Sequence, residues 1–395
     1  PTVIVLPKTD KKRPEDLIPR LNLLQDEYEK FIRLDKKNQI LGPSKEYYRL
    51  YQKEDVALLM EYPIVKKPVT HDEWMRIAID NIDLENVQFP LVLVQEYGMN
   101  LFRYGAGLEL ALDELDTVTL SKSTTVEQIE RKDDKWNITY HTEDSTSQTS
   151  FDYLINASGF RTGTLDDMIE VDSQRMVEFK SSYITKWEEK CDTVFPEIIF
   201  HGERGTPQGM AQFTPYPGGY FQLHGMTNEI TLYDDGLVAS TSSSAQPRLK
   251  NHFIQKIDKG WDQNEVDERT YQAIAHLQQF IPDFCEADVG ALPLFGAQQI
   301  PGDDPTLRVA EVSFPAEYYA RCEIVKVSSS LDMVDAIVDE LMSLGYILSS
   351  HSKRRNLNYL KYIDEVKLKS KSEKLAISRG YPRDLANINV SRSFS

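Results

Sequence analysis

Two stretches of this sequence combine residue types whose spacing suits ligand chemistry. The first is Phe151-Asp152-Tyr153-Leu154-Ile155-Asn156-Ala157-Ser158-Gly159-Phe160-Arg161-Thr162-Gly163, an apolar run ending in small residues. A strand that runs into Ala157, Ser158 and Gly159 brings little side-chain bulk, so its backbone can approach a bulky ligand closely, and diphosphates favour such places. The second runs from Gln212 to Thr227 and places aromatics and amides on alternating strand faces. One face would wall a pocket. The plainer reading is that Phe213, Tyr220 and Leu223 fill a β-core. Within this stretch His224 is the best ionisable candidate, because its neighbours are small and polar, with Gln222 beside it; a lone histidine is more often just hydrogen-bonded.

Other chemistries lack their residues. There is no G-x-S-x-G elbow, H-E-x-x-H pair, P-loop or EF-hand pattern. Asp166-Asp167, Asp234-Asp235 and Asp303-Asp304 sit in turn-rich contexts, where aspartate hydrogen-bonds its own backbone, so no metal is expected. Cys191, Cys285 and Cys322 are far apart and never form a CxxC pair, which argues against a disulfide scaffold or a zinc site and for a cytoplasmic protein.

These segments need elements to position them. Pro1 to Val5 reads as a strand and Pro14 to Leu34 as an amphipathic helix, with Leu17, Leu21, Leu24, Tyr28 and Ile32 three or four apart. Further helices are expected at His71–Ile79, Asn100–Leu115, Asp267–Phe280 and Leu331–Leu344, the last ended by Gly345. Strands are expected at Leu91–Val94, Val118–Leu120, Val126–Glu130, Trp136–His141, Phe151–Asn156 and Leu307–Val312. Several more lie between 175 and 235. Glu143–Ser150 reads as a polar hairpin loop and Pro315–Arg321 as irregular. The sequons at Asn137 and Asn156 fall in expected strands and are discounted as glycan sites.

The 395 residues are enough for more than one domain. No apolar run approaches the length of a membrane span. The net charge of −17 is unevenly spread: residues 352–395 hold 11 Lys and Arg against 4 Asp and Glu. The acidic remainder disfavours nucleic-acid binding by the main fold. The basic tail is expected to be a solvated, partly disordered extension.

The order Glu96-Tyr97-Gly98-Met99-Asn100, helix, Val126-Glu127-Gln128-Ile129, Trp136, then Asp152 to Gly159 resembles the D-amino-acid-oxidase-like family of FAD-dependent oxidoreductases. The resemblance covers roughly residues 90–345. It implies a β-meander before the Leu154–Asn156 strand, Val126 beside the adenine, and Ala157, Ser158, Gly159 and Phe160 beside the FAD phosphates. The expected fold is mixed α/β: a partial FAD-binding dinucleotide-type layer with a mainly antiparallel β substrate domain. The domains implied are 1–170 with 285–350 for the FAD-binding type, 171–284 for the β-rich substrate domain, and 351–395 for the tail. The family's G-x-G-x-x-G unit is expected before Pro1. The sequence's own Gly105-Ala106-Gly107 lies inside an amphipathic helix and makes a poor phosphate cradle. In place of the family's glycine-rich ring contact stands Val312 to Arg321, where Arg321 would pair with a substrate carboxylate and Tyr318 and Tyr319 would hydrogen-bond or stack, unless they form a structural loop. The resemblance implies oxidation of an amine or amino-acid-like small molecule, with Gln222, His224 and Arg321 on the substrate side. The alternative is a truncated or degenerate, non-catalytic relative that serves as a binding or structural module.

Overall fold

A computed structural model describes residues 1–307, 311–323, 326–348 and 363–388. The chain begins with β1 (Thr2–Val5), α1 (Ile18–Leu34), β2 (Tyr48–Tyr51), α2 (Lys53–Leu59), α3 (His71–Asn81), β3 (Leu91–Val94) and α4 (Leu101–Asp113). Local signals start these helices. Thr70 Oγ1 accepts from the Glu73 amide at 3.3 Å while Glu73 accepts from the Thr70 amide at 3.0 Å, a reciprocal cap on α3. Asn100 caps α4 by accepting from the Arg103 amide at 3.0 Å.

There follow β4 (Thr125–Lys132), β5 (Lys135–His141), β6 (Thr146–Phe151), β7 (Leu154–Asn156) and α5 (Thr162–Met168), then β8 (Arg175–Lys186), β9 (Glu197–Phe200), β10 (Ala211–Tyr216), β11 (Tyr220–Gly225) and β12 (Leu237–Ala239). The described chain closes with α6 (Asn251–Lys259), α7 (Gln263–Gln278), β13 (Asp288–Pro301), β14 (Glu311–Ala316), β15 (Tyr319–Glu323), α8 (Ser330–Ser343) and α9 (Glu365–Ser378).

Three sheets result. The large one has nine strands, in the order β12-β8-β11-β10-β9-β1-β3-β2, with β13 also on β8. Its pairs are antiparallel except β1 with β9. On one face Phe213, Phe221, Leu223 and Trp187 join Trp74 and Ile77 of α3 and Ile274 and Leu277 of α7 in the main core. A small sheet runs β14-β15-β7, with β15 parallel to β7, and β4-β5-β6 form a separate meander. The meander is tied to the small sheet where the Trp136 indole and the Leu154 amide both donate to the Tyr318 carbonyl, at 2.8 and 3.0 Å. The fold class is therefore the expected one: mixed α/β, with a mainly antiparallel sheet beside a small layer containing a parallel pair.

Several sequence expectations need correction. Residues 118–120 are irregular rather than a strand. Phe151–Asn156 is not one buried strand: Phe151 ends β6 and is exposed, and β7 begins only at Leu154. The presumed hairpin loop at 143–150 contains most of β6, an exposed edge strand whose polar residues show no apolar alternation. Pro315–Arg321 is not irregular but a hairpin from β14 to β15, turning at Glu317-Tyr318 with Tyr318 at φ +56°. Of the expected strand Leu307–Val312, residues 308–310 lie outside the described residues.

Strand pairing runs across the expected domain bounds. Residues assigned by sequence to a FAD-type unit at 1–170 include β1, β2 and β3, which belong to the same large sheet as β8 to β11. Hydrogen bonding of β1 to β9 joins residues 195 apart in the chain, such as Thr2 and Glu197, a pairing no local pattern announces. In the basic tail, 351–362 and 389–395 lie outside the described residues, but 363–388 is a packed element rather than a solvated extension. Ala376 of α9 and Leu385 and Ala386 beyond it are completely buried against Phe102 of α4 and Ile184 of β8.

Candidate functional site

The burial pattern of β10 and β11 alternates as their sequence predicts: Phe213, Phe221 and Leu223 are buried, and Gln212, Thr214, Gln222 and His224 on the opposite face are half-buried. Tyr220 departs from the expected core set. It shares the polar face with Gln222, since they are two residues apart, and packs toward Ile184 beneath α4 and α9.

On this face a hydrogen-bonded chain crosses three strands. Tyr216 Oη donates to Gln222 Oε1 at 3.0 Å, and Gln222 Nε2 donates to Ser182 Oγ at 2.9 Å and to His224 Nε2 at 3.0 Å. An amide nitrogen has only hydrogens to offer, so His224 Nε2 is the acceptor and the neutral ring carries its proton on Nδ1. That Nδ1 is buried and has no hydrogen-bond partner among the described residues. Burial, and then the positive charges of Lys180 and Lys326, push the His224 pKa down to about 4. The imidazole is neutral at physiological pH.

Lys180, one of the two cations acting on this histidine, belongs to a charged cluster. Lys180 lies 2.7 Å from Glu178, which is 4% exposed, and donates to Gln298 Oε1 at 2.8 Å. Arg204 also donates to Glu178, while its buried Nη1 has no hydrogen-bond partner among the described residues.

Arg321 is not brought to this cluster. Its Nη1 donates to Asp166 Oδ2 at 3.2 Å, and its Nε donates to Ser313 Oγ at 3.1 Å and lies 3.5 Å from Glu323. Arg175 donates to the same Asp166 oxygen at 2.7 Å, Tyr319 donates to Asp166 Oδ1 at 2.6 Å, and Asn156 donates to Tyr319 Oη at 2.7 Å. The guanidinium is consumed by a buried network that joins the small sheet, α5 and β8. Tyr318 and Tyr319 are likewise structural, the first through its carbonyl and the second through its hydroxyl.

The candidate phosphate turn sits at the carboxyl end of β7. Ala157, Ser158 and Gly159 are exposed, and Phe160 is half-buried against the Phe179 and Phe253 core. Gly159 has φ +60°, and a Cβ there would meet nothing within 4 Å, so the turn has open space in front of it. A close approach by a bulky diphosphate fits this turn. Val126 is half-buried on β4 beside Ile129, Trp136 and Leu165. The competing glycine pair does not fit. In α4 a Cβ on Gly105 would stand 3.6 Å from Leu375 and one on Gly107 3.7 Å from Leu368, because α9 packs on that surface.

The parallel pair thus ends in an exposed small-residue turn and accompanies a broad antiparallel sheet with a polar face. No protein-family model and no curated relative matches the sequence. Solved structures do match in fold. A thermally stable mutant of fructosyl peptide oxidase superposes with a TM-score of 0.50 at 13% identity, covering 83% of this chain and 66% of that one. Glycerol-3-phosphate dehydrogenase from Bacillus halodurans, complexed with FAD, gives 0.48 at 13% identity over 86% of this chain and 60% of its own. L-proline dehydrogenase from P. horikoshii gives 0.46 at 12% identity over 87% and 72%. Among the described residues no helix is long and apolar enough to cross a membrane.

Sequence reasoning missed Ser182, Tyr216, Lys180 and Lys326 as companions of His224. The period-two pattern marks Ser182 and Lys180 as same-face neighbours on β8, but only strand pairing sets them beside β11. Lys326 comes from outside the large sheet and left no signal.

Proposed function

We propose that the chain is part of a FAD-dependent oxidoreductase acting on an amine or amino-acid-like small molecule. The observation that carries this reading is the parallel pairing of β7 with β15, whose carboxyl end opens at the exposed Ala157-Ser158-Gly159 turn. Ligands of α/β folds collect at the carboxyl ends of parallel strands, and a turn of small residues admits a diphosphate there. When bound, FAD supplies acceptance of a hydride from a C–N or C–O bond.

The chain's own residues then bind and orient. Gln222, fixed by Ser182 and Tyr216, holds the His224 ring in one tautomer. With its pKa lowered to about 4, neutral His224 offers an Nδ1–H to an acceptor without adding a proton to the solvent exchange at neutral pH. In this reading the large sheet, including β1 to β3, is the substrate-side unit, and the small sheet with the meander is the FAD-side unit.

The test is an absorbance spectrum of the purified chain with and without added FAD, after removal of free flavin. A retained flavin band that bleaches anaerobically with an amine or amino acid is the expected result. A protein that stays colourless in excess FAD overturns the reading for this chain.

A further inference from the structure

A cavity lies beyond Tyr216, at the ends of β1 and β9. It holds about 500 Å³, within the range that accommodates small-molecule ligands. Its wall is mainly aromatic and aliphatic, including Trp74, Tyr97, Met99, Phe195 and Ile388, and Glu197 is the one charged side chain among the described residues that line it.

Among the described residues, Glu197 is held in place but not saturated. Gln212 Nε2 and Thr214 Oγ1 each donate to its Oε1 at 2.7 Å, and Thr2 Oγ1 donates to its Oε2 at 3.1 Å. A carboxylate accepts about four hydrogen bonds, which leaves one position on Oε2. Its negative charge reaches into the cavity wall, since burial and then Glu197 push the Tyr216 pKa up to about 12.

Other groups point to the shape of a ligand. Trp74 is 2% exposed, and its indole N–H has no hydrogen-bond partner among the described residues, so the fold leaves a buried donor unmet. Tyr97, Met99 and Ile388 expose 41%, 57% and 48% of their surface around the same space. A hydrocarbon ligand body would cover them. Ile388 is brought there by the C-terminal segment, which Asn100 anchors by donating to the carbonyls of Leu385 and Asn387 at 2.8 and 3.1 Å.

We propose that this cavity is a binding site for an arylalkylammonium ligand, its ammonium on Glu197 and its ring against the aromatic wall. A single anchored carboxylate in an apolar, aromatic enclosure selects an organic cation over a neutral or anionic analogue of equal size. The site does not depend on flavin.

Calorimetric titration of the flavin-free full chain with 3-phenylpropylammonium tests it, with 3-phenylpropan-1-ol and 3-phenylpropionate as neutral and anionic probes. The ammonium is expected to bind saturably and about tenfold or more tighter than the alcohol, the ratio that one charge-assisted hydrogen bond supplies. Glu197→Gln is expected to remove that preference. Ile388→Ala, at an exposed rim position where refolding is not at stake, is expected to weaken the ammonium severalfold with an unchanged circular dichroism spectrum. Equal binding of alcohol and ammonium, or no saturable binding of the ammonium at millimolar concentration, overturns the proposal. So does binding that Ile388→Ala leaves unchanged.

Discussion

Arg175 and Asp166 form an ion pair with Nη2 and Oδ2 2.7 Å apart and side chains only 1% and 0% exposed. Asp166 comes from α5 and Arg175 from the start of β8, and Arg321 of β15 approaches the same carboxylate at 3.2 Å. One carboxylate thus ties the small sheet to the large one.

Replacing Asp166 with Ala leaves two guanidinium groups facing a site without its carboxylate, and Glu323 alone cannot occupy the lost position. Loss of one partner of a buried pair costs about 3–5 kcal/mol. Urea unfolding of Asp166→Ala is expected to show a midpoint lowered accordingly. A change below about 1 kcal/mol would mean that solvent enters the network and relieves it.

The His224 pKa of about 4 lies below its ordinary 6.5, so the unfolded chain takes up this proton first as pH falls. The contribution to stability is complete above pH 6.5 and is lost between about 6.5 and about 4, by up to roughly 3 kcal/mol. The positive charges of Lys180 and Lys326 oppose protonation of the buried ring. Comparing unfolding free energies at pH 5 and pH 7.5 for the wild type and His224→Asn isolates the effect. The wild type is expected to lose more on acidification, and parallel losses in both proteins would contradict the lowered pKa.

α9 and the segment after it are held chiefly by apolar burial. Leu385 is completely buried, and Leu385→Ala is expected to cost about 2–5 kcal/mol. Lys371 pairs with Glu109 and Asp113 at 3.2 and 3.3 Å, but its side chain is 28% exposed, so Lys371→Ala is expected to stay within about 1 kcal/mol of the wild type. Denaturant titrations of both variants, with dye binding to report exposure of Phe102 and Ile184, separate the two contributions. A larger loss from the lysine would show that electrostatics holds this segment.

Local periodicity was enough to find the elements that bury one regular stripe. Leu91–Val94 is a strand in the sequence and in the structure, and α1, α3, α4 and α8 lie within a few residues of their predicted bounds, because a 3.6- or 2-residue repeat of apolar side chains is written in neighbouring positions. The same alternation disclosed the two faces of β11 and with them Gln222 and His224. It failed for β6, whose polar, exposed residues carry no such repeat, and for β13, whose glycines and prolines obscure a strand sustained by pairing with β8. It also failed for α9 as a packed element, since basic composition says nothing about the surface of α4 that receives it.

Which strands meet is a different kind of information. Thr2 beside Glu197, and Arg175 and Arg321 on one Asp166, are contacts between residues far apart in sequence. Arg321 read as a substrate ligand because its stretch stands where the resembled family has its glycine-rich ring contact, and an arginine there can pair with a carboxylate. The tertiary structure spent its charge on a buried carboxylate instead. Residue types and their spacing determined the periodic elements and the reactive groups available; only the folded sheets decided which groups are desolvated together, because burial and charge pairing depend on neighbours that chain order does not specify.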